Sequence, residues 1–427
     1  MPPRVMSTSV GLSHVFPLGS RLNEAGRLEV GGCDVFDVAR EYGTPAYVVA
    51  EDDVRTRART YLEAFRSRHE ASDVVFGSKA FPAVAVVRIF AEEGLGIDVA
   101  SGGELALALR AGVDPERLVV HGNAKTEDEL RMAYDAGAGL IVVDNQQDID
   151  RLEQIVGVGG RPQRVLIRVT PGIKPSTHSH ISTGQLDSKF GFNLDDARRA
   201  IARAQESDQL EMAGIHSHIG SQIFELESFQ DAIAAIAGMG EFEVWNVGGG
   251  LGVAYTAHDE PPPIEAYAEA IVSAAHEHLG TGVRLMVEPG RSLVANSTVT
   301  LYRVQTIKRN VSTYVGVDGG MSDNMRPMLY GSRYEAHIAD RFGGGSTRCH
   351  IAGKHCESSD IVVKDVDLDD PRPGDLIVVP ATGAYGHAMA SNYNGVARPP
   401  VILCRDGQAR VVVRRETYED LAARDVV

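Results

Sequence analysis

Between Glu51 and Ser292, short apolar runs alternate with amphipathic stretches. The runs are Val74–Lys79, Ile97–Ser101, Leu118–Gly122, Leu140–Asp144, Val165–Thr170, Met212–His218, Phe242–Val247 and Leu285–Glu288. Each is too short for a helix and is bounded by turn-forming residues, which predicts strands. The stretches Gly103–Ala111, Glu127–Ala136, Gln147–Val156, Asp195–Gln205 and Ile264–Leu279 space their apolar residues as helices do. Glu51–His69 predicts a further helix ahead of the first strand. Strand–helix alternation requires a parallel sheet, and eight repeats in roughly 240 residues imply a (β/α)8 TIM-like barrel. An open, doubly wound sheet is the other fold this alternation permits.

After Ser292 the pattern changes. Thr298–Lys308, Tyr314–Val317, Cys349–Gly353, Asp360–Val366, Leu376–Val379 and Val401–Arg415 read as strands joined by Gly, Pro and Asp turns. The expected division is an α/β barrel over 45–297 and a mostly antiparallel β domain over 298–427, joined by a strand from 11–44. Lys and Arg number 42 against 58 Asp and Glu, a net charge of −16. That acidity argues against a nucleic acid partner, which needs a basic surface. The stretch Val5–Phe16 lacks the unbroken apolar core of a signal peptide, and no run is long enough to span a bilayer. Cys33, Cys349, Cys356 and Cys404 show no Cys-x-x-Cys spacing. A reducing, cytoplasmic setting without structural zinc is therefore expected, with no membrane partner.

In such a barrel the chemistry lies at the C-terminal ends of the strands, and here those ends are polar. The first run ends at Lys79; the second carries Asp98 and leads into Ser101-Gly102-Gly103-Glu104. The third ends in His121-Gly122-Asn123-Ala124-Lys125-Thr126, and the fifth carries Arg168. The sixth ends in His216-Ser217-His218-Ile219-Gly220-Ser221, the seventh in Gly248-Gly249-Gly250, and the eighth in Glu288-Pro289-Gly290-Arg291-Ser292. One lysine at a strand end reads as a cap or an ion-pair partner. A whole rim of buried ions is costly unless they are paired, so stability alone explains it poorly.

Gly248–Gly250 reads either as a tight turn or as a loop whose N–H groups cradle a phosphate, and its spacing is not a dinucleotide fingerprint. His216 and His218 alternate along a strand and should face opposite sides, one toward the core and one toward the barrel mouth. No further ligands accompany them, so no metal site is expected. Glu288 is either a salt-bridge partner of Arg291 or a carboxylate that keeps a pyridine nitrogen protonated. The second role is coherent with a Lys79 able to form a Schiff base with an aldehyde.

Longer segments carry the same residues: Asp98–Leu105, His121–Thr126, Ser188–Phe192, Gly214–Ile223, Asn246–Gly252, Glu288–Ser292, Asp318–Tyr330, Cys356–Asp360 and Gly383–Asn394. In combination they resemble the pyridoxal 5′-phosphate (PLP)-dependent decarboxylases built on an alanine-racemase-like barrel, the ornithine, diaminopimelate and arginine decarboxylase family. The resemblance covers nearly the whole chain. It implies that Lys79 is the Schiff-base lysine, that His218 stacks on the opposite face of the cofactor ring, and that Glu288 holds the pyridine nitrogen. Ser221, Gly248, Gly249 and Gly250, with the backbone of Gly290 and Arg291, would hold the phosphate. Asp98 and Arg168 would form an ion pair supporting the lysine and the ring. The far end of the substrate would rest on Arg291, Arg326, Tyr330 and Glu357; Cys356 would donate a proton, and Tyr385 would touch both cofactor and substrate. Cys356 and Glu357 match a pair that the neighbouring subunit supplies in family dimers, which implies a homodimer with shared sites. Phe81 stands where Asn is frequent in the family, and Ser359 where Gly is frequent. Neither departure removes an assigned group.

The activity implied is decarboxylation of meso-2,6-diaminopimelate at its D-configured centre, giving L-lysine and carbon dioxide, the last step of lysine biosynthesis. A second amino acid head needs a cation and an anion, which Arg326 and Glu357 supply; alternatively the two are surface charges or form a mutual ion pair. Decarboxylation of ornithine, arginine or a carboxylated polyamine, racemisation, and a non-catalytic regulatory role are the other readings. A regulator would be marked by loss of the lysine or the cysteine, and both Lys79 and Cys356 are present.

Overall fold

The computed structural model describes residues 11–173, 188–343 and 345–426, so the first part of the N-terminal stretch read above lies outside it. The chain forms two compact units. One comprises Val54–Val253 and Glu260–Val294; the other comprises residues up to Asp53, Ala254–Asp259, and the chain from Ala295 onward.

At the N-terminus β1 (Arg21–Leu22), β2 (Leu28–Val30) and β3 (Cys33–Asp34) form a small sheet of their own, and β4 (Ala46–Ala50) follows. The first unit is then built on β5 (Ser72–Gly77), β6 (Gly96–Val99), β7 (Leu118–Val120), β8 (Leu140–Val143), β9 (Gln163–Arg168), β10 (Leu210–His216), β11 (Val244–Asn246) and β12 (Arg284–Val287). These eight close into a barrel in chain order, every pair parallel. The barrel, and not the open sheet, is the fold. Val75, Val119, Leu140, Val142, Leu166, Ala213, Val244 and Met286, drawn from seven of its strands, form one buried cluster that fills it.

The helices begin where the strands' polar ends stop. Ser101 caps Gly102–Ala111, Asn145 caps Gln146–Val156, and Asn193 caps Leu194–Glu206, each through a side-chain oxygen that accepts a backbone N–H. Thr126 and Glu129 close a reciprocal capping box at Glu127–Ala136. None of the described helices is long and apolar enough to cross a membrane.

In the second unit, β13 (Thr298–Arg309) is the spine. Its first half pairs with β4 and with β18 (Leu376–Val379), and its second half with β14 (Thr313–Val317). β15 (His337–Ile338) pairs with β18, while β16 (Thr347–Ala352) and β17 (Ile361–Leu368) extend the edge beyond β14. β19 (Val401–Arg405) lies against β4 and turns back into β20 (Gln408–Val413). The sheet is mostly antiparallel, with parallel pairs at β14/β16 and β4/β19. The run Val401–Arg415 is thus a hairpin, turned at Asp406–Gly407, whose residues both have positive φ. The N-terminal strand in this sheet is β4, just beyond the 11–44 segment expected to supply it.

Candidate active site

β5 and β6 pair with Gly77 level with Asp98, so Lys79, in the turn just past β5, stands beside Asp98. Lys79 Nζ lies 3.8 Å from Asp98 Oδ2; the lysine side chain is 47% exposed and the aspartate side chain 3%. Burial raises the Asp98 pKa, against the opposing pull of His121 and Lys79.

Glu288, just past β12, gathers three donors. His121 Nε2 lies 2.8 Å and Asn246 Nδ2 2.6 Å from its Oε1, and His216 Nε2 lies 3.1 Å from its Oε2. Burial alone would raise the Glu288 pKa, but His121 and His216 hold it well below the usual carboxylate range. Facing an ionised carboxylate, both histidines present an N–H at Nε2. Burial pushes the His216 pKa down to about 3, so this ring is neutral, and its Nδ1 is buried without a partner.

β10 ends at His216, so the strand alternation that would set His216 and His218 on opposite sides does not extend to His218. His218 Nδ1 accepts from Gly249 N at 3.2 Å. Burial, then the charges of Lys79 and Arg168, hold its pKa well below the usual value.

The expected Asp98–Arg168 ion pair is not formed. Arg168 ends β9 and reaches Asp144 Oδ1, just past the adjacent β8, at 3.6 Å; Asp98 belongs to β6, three strands away. The Arg168 guanidinium also lies 4.5 Å over the Phe190 ring. Arg291 donates through Nε and Nη2 to Ser221 Oγ at 3.1 and 2.9 Å. Glu288 is held by the two histidines and Asn246.

The glycine loop is a close-packed turn in which two of the three N–H groups are already used. Gly248 N donates to Asn246 Oδ1 at 3.0 Å and Gly249 N to His218 Nδ1, which leaves the Gly250 N–H, of the three, without an acceptor among the described residues. A Cβ on Gly249 would stand 2.1 Å from Glu288 O, and one on Gly248, at φ 71°, 2.5 Å from Ser217 O. These two glycines therefore let neighbouring rim loops touch backbone to backbone.

In the other unit Arg326 is buried, and helix Arg326–Tyr330 ends at the partly exposed Tyr330. Tyr385, at φ 63°, lies close enough for Arg326 to sense it. Cys356 and Glu357 are exposed. Cys356 N donates to Asn394 Oδ1 at 3.0 Å, and Glu357 accepts from the Tyr393 hydroxyl. Glu357 is thus not the ion-pair partner of Arg326.

His121 and Asn246 lay within quoted segments but received no role from the sequence, and Asp144 was absent from them. His121, His216 and Glu288 also have the mutual spacing of a metal-binding set, which the two histidine hydrogen bonds to Glu288 account for.

The family model for the pyridoxal binding domain of pyridoxal-dependent decarboxylases matches residues 51–295. The chain belongs to this family of decarboxylases. Among curated proteins it is 44% identical to the diaminopimelate decarboxylase of Bacillus subtilis (strain 168), covering 95% of this chain and 97% of that one. It is 45% identical to that of Actinosynnema pretiosum, covering 96% and 95%. Among solved structures, diaminopimelate decarboxylase from M. jannaschii in complex with L-lysine matches with a TM-score of 0.90, at 32% identity over 96% of this chain and 98% of that one.

The rim fits the cofactor the family implies. Glu288 has about four acceptor sites as a carboxylate, and three donors leave room for a pyridinium N–H. Lys79 offers a reachable amine. Among the described residues the N–H groups of Gly250 and Gly290 have no acceptor; Gly290 precedes Arg291, and Gly250 lies against Gly220, next to Ser221, so both could serve an anion held there.

Proposed function

We propose that this chain decarboxylates meso-2,6-diaminopimelate to L-lysine and carbon dioxide, with PLP as its cofactor. The observation that carries the substrate is Arg326. It is 5% exposed, its Nε is buried without a partner, and among the described residues no carboxylate pairs with it. A buried guanidinium without an anion is costly, and a ligand carboxylate is the partner it lacks. Ornithine and other diamino acids without a distal carboxylate leave it unmatched.

PLP, when bound, supplies the electron sink that takes up the pair left behind as carbon dioxide departs. Lys79 would hold its aldehyde, with Asp98 keeping a negative charge beside the amine. Glu288, held ionised by His121 and His216, would hold a proton on the pyridine nitrogen. His218, kept neutral, would present a ring face without adding positive charge. Ser221, Arg291, Gly250 and Gly290 would hold the phosphate. Cys356 would deliver a proton to the reacting carbon, and Glu357, set by Tyr393, would take the distal ammonium. The exposure of the Cys356–Glu357 loop supports completion of each site by a second copy of the chain, in a homodimer working in the cytoplasm.

The test is product analysis of the PLP-loaded protein with meso-diaminopimelate, where L-lysine and carbon dioxide should appear in equal amounts. Arg326→Met should lower kcat/KM on this substrate by tens- to thousands-fold, since a substrate carboxylate left unpaired costs about 2–5 kcal/mol. Turnover of D-lysine, which lacks the distal carboxylate, should change little. Equal losses on both substrates would remove Arg326 from substrate recognition.

A further inference from the structure

Among the described residues, the groups that hold the Arg326 guanidinium are two tyrosines. Its guanidinium carbon lies 4.4 Å from the centre of the Tyr255 ring and 5.7 Å from that of Tyr334. Nη1 donates to the Tyr334 hydroxyl. The two tyrosine rings meet edge to face, centroids 5.2 Å apart at 73°, so each braces the other. Both are buried, at 6% exposure each. The sequence drew attention to neither.

A carboxylate in this place would fix the guanidinium equally well. It would also neutralise it, and an incoming ligand carboxylate would have to displace it. A ring face and a hydroxyl hold the cation through its quadrupole attraction and one hydrogen bond while leaving its charge uncompensated. The Tyr255 face holds the guanidinium carbon in place, and the Tyr334 hydroxyl holds Nη1. Nε, among the donors left over, is buried and unpartnered among the described residues. We infer that Tyr255 and Tyr334 are positioning residues for substrate specificity: they form an uncharged cage that orients Arg326 and reserves its charge for the distal carboxylate of the ligand. This rests on the proposed role of Arg326 and adds two residues to it.

The experiment uses the PLP-loaded enzyme and two inhibitors: L-lysine, and 1,5-diaminopentane, which is L-lysine without its carboxylate. Tyr334→Phe keeps the ring and removes the hydroxyl; Tyr255→Leu removes the aromatic face; Tyr255→Phe keeps it. Tyr334→Phe and Tyr255→Leu should each weaken inhibition by L-lysine about tenfold and raise KM for meso-diaminopimelate alike, with kcat nearly unchanged. Inhibition by 1,5-diaminopentane and the absorbance of the bound cofactor should stay at wild-type values in both, which also shows that the variants fold. Tyr255→Phe should behave as wild type, because the ring face and not its hydroxyl faces the cation. Arg326→Met, measured alongside, separates the two levels. If it does not selectively weaken L-lysine, the role of Arg326 falls and the cage with it. If it does, but Tyr334→Phe and Tyr255→Leu bind L-lysine as wild type does or lose both inhibitors equally, the cage alone is overturned.

Discussion

His216 and His218 sit two residues apart and hold different atoms. His216 gives its Nε2 proton to Glu288; His218 takes the Gly249 N–H on Nδ1. Holding His216 neutral has a consequence in acid. Its folded pKa of about 3 lies below the unfolded value near 6.5, so its contribution to stability is complete above about pH 6.5 and is lost as pH falls toward 3. His216→Gln keeps an N–H toward Glu288 and removes the titrating ring. Urea midpoints measured from pH 7 to pH 4 should fall more steeply for wild type than for this variant, and parallel curves would contradict the assignment. At this scale the sequence was legible where a residue's charge was itself the anomaly. Lys79 and Glu288 stood out because ions at strand ends need a reason. His121 did not, because its role is defined by a contact with a residue 167 positions away. Arg168 was correctly placed at the rim but mispaired, since adjacency around the barrel decides which carboxylate it meets.

The rim loops are tied to one another by charged side chains from the helices that follow. Glu104 accepts from Ala100 N and from Ser78 Oγ, next to Lys79, and Glu129 accepts from Gly102 N. Lys125, within the loop itself, adds a buried tie. Its Nζ donates to Gly122 O at 2.5 Å, Val142 O at 2.8 Å and Asp148 Oδ2 at 2.8 Å, so all three protons are used and the ends of β7 and β8 are pinned together. Lys125→Met should destabilise the protein by about 3–5 kcal/mol, because Asp148 is left buried without this cation; the double variant with Asp148→Leu should recover most of that. Denaturant unfolding of the single and double variants tests this, and a cost below about 1 kcal/mol for the single change would refute it. The helices were legible because their caps are local. The expected barrel strands end one or two residues too far along in all eight runs, as in Val74–Lys79 against Ser72–Gly77, because the backbone leaves the ladder before the rim loops begin. The hairpin at Val401–Arg415 was missed although Asp406-Gly407 is a strong turn signal.

For the whole molecule, the barrel was legible because alternation of period and length repeats eight times. The second sheet was legible as strands but not as a topology, since pairing between distant segments leaves no local trace. The proposed sharing of sites between two copies has a direct test. Lys79→Ala and Cys356→Ala proteins should each be inactive, and after subunit exchange an equal mixture should regain about a quarter of wild-type activity, because half the dimers are mixed and each has one intact site. Proven exchange with no recovery would place the whole site within one chain.

β4 pairs with β13 and β19, so Ala46–Ala50 is held between strands that begin at Thr298 and Val401. On the ribosome, at roughly 5–20 residues per second, this strand emerges some 20–70 s before its last neighbour. Until β13 emerges it is an apolar segment with two open edges, and one edge stays open until β19 follows, while the barrel strands can already pair among themselves. Nascent chains halted at about residue 300 should therefore show protease-resistant barrel residues and a cleavable 46–50 segment, and a cell making this protein must shield five residues for most of the time it takes to translate it.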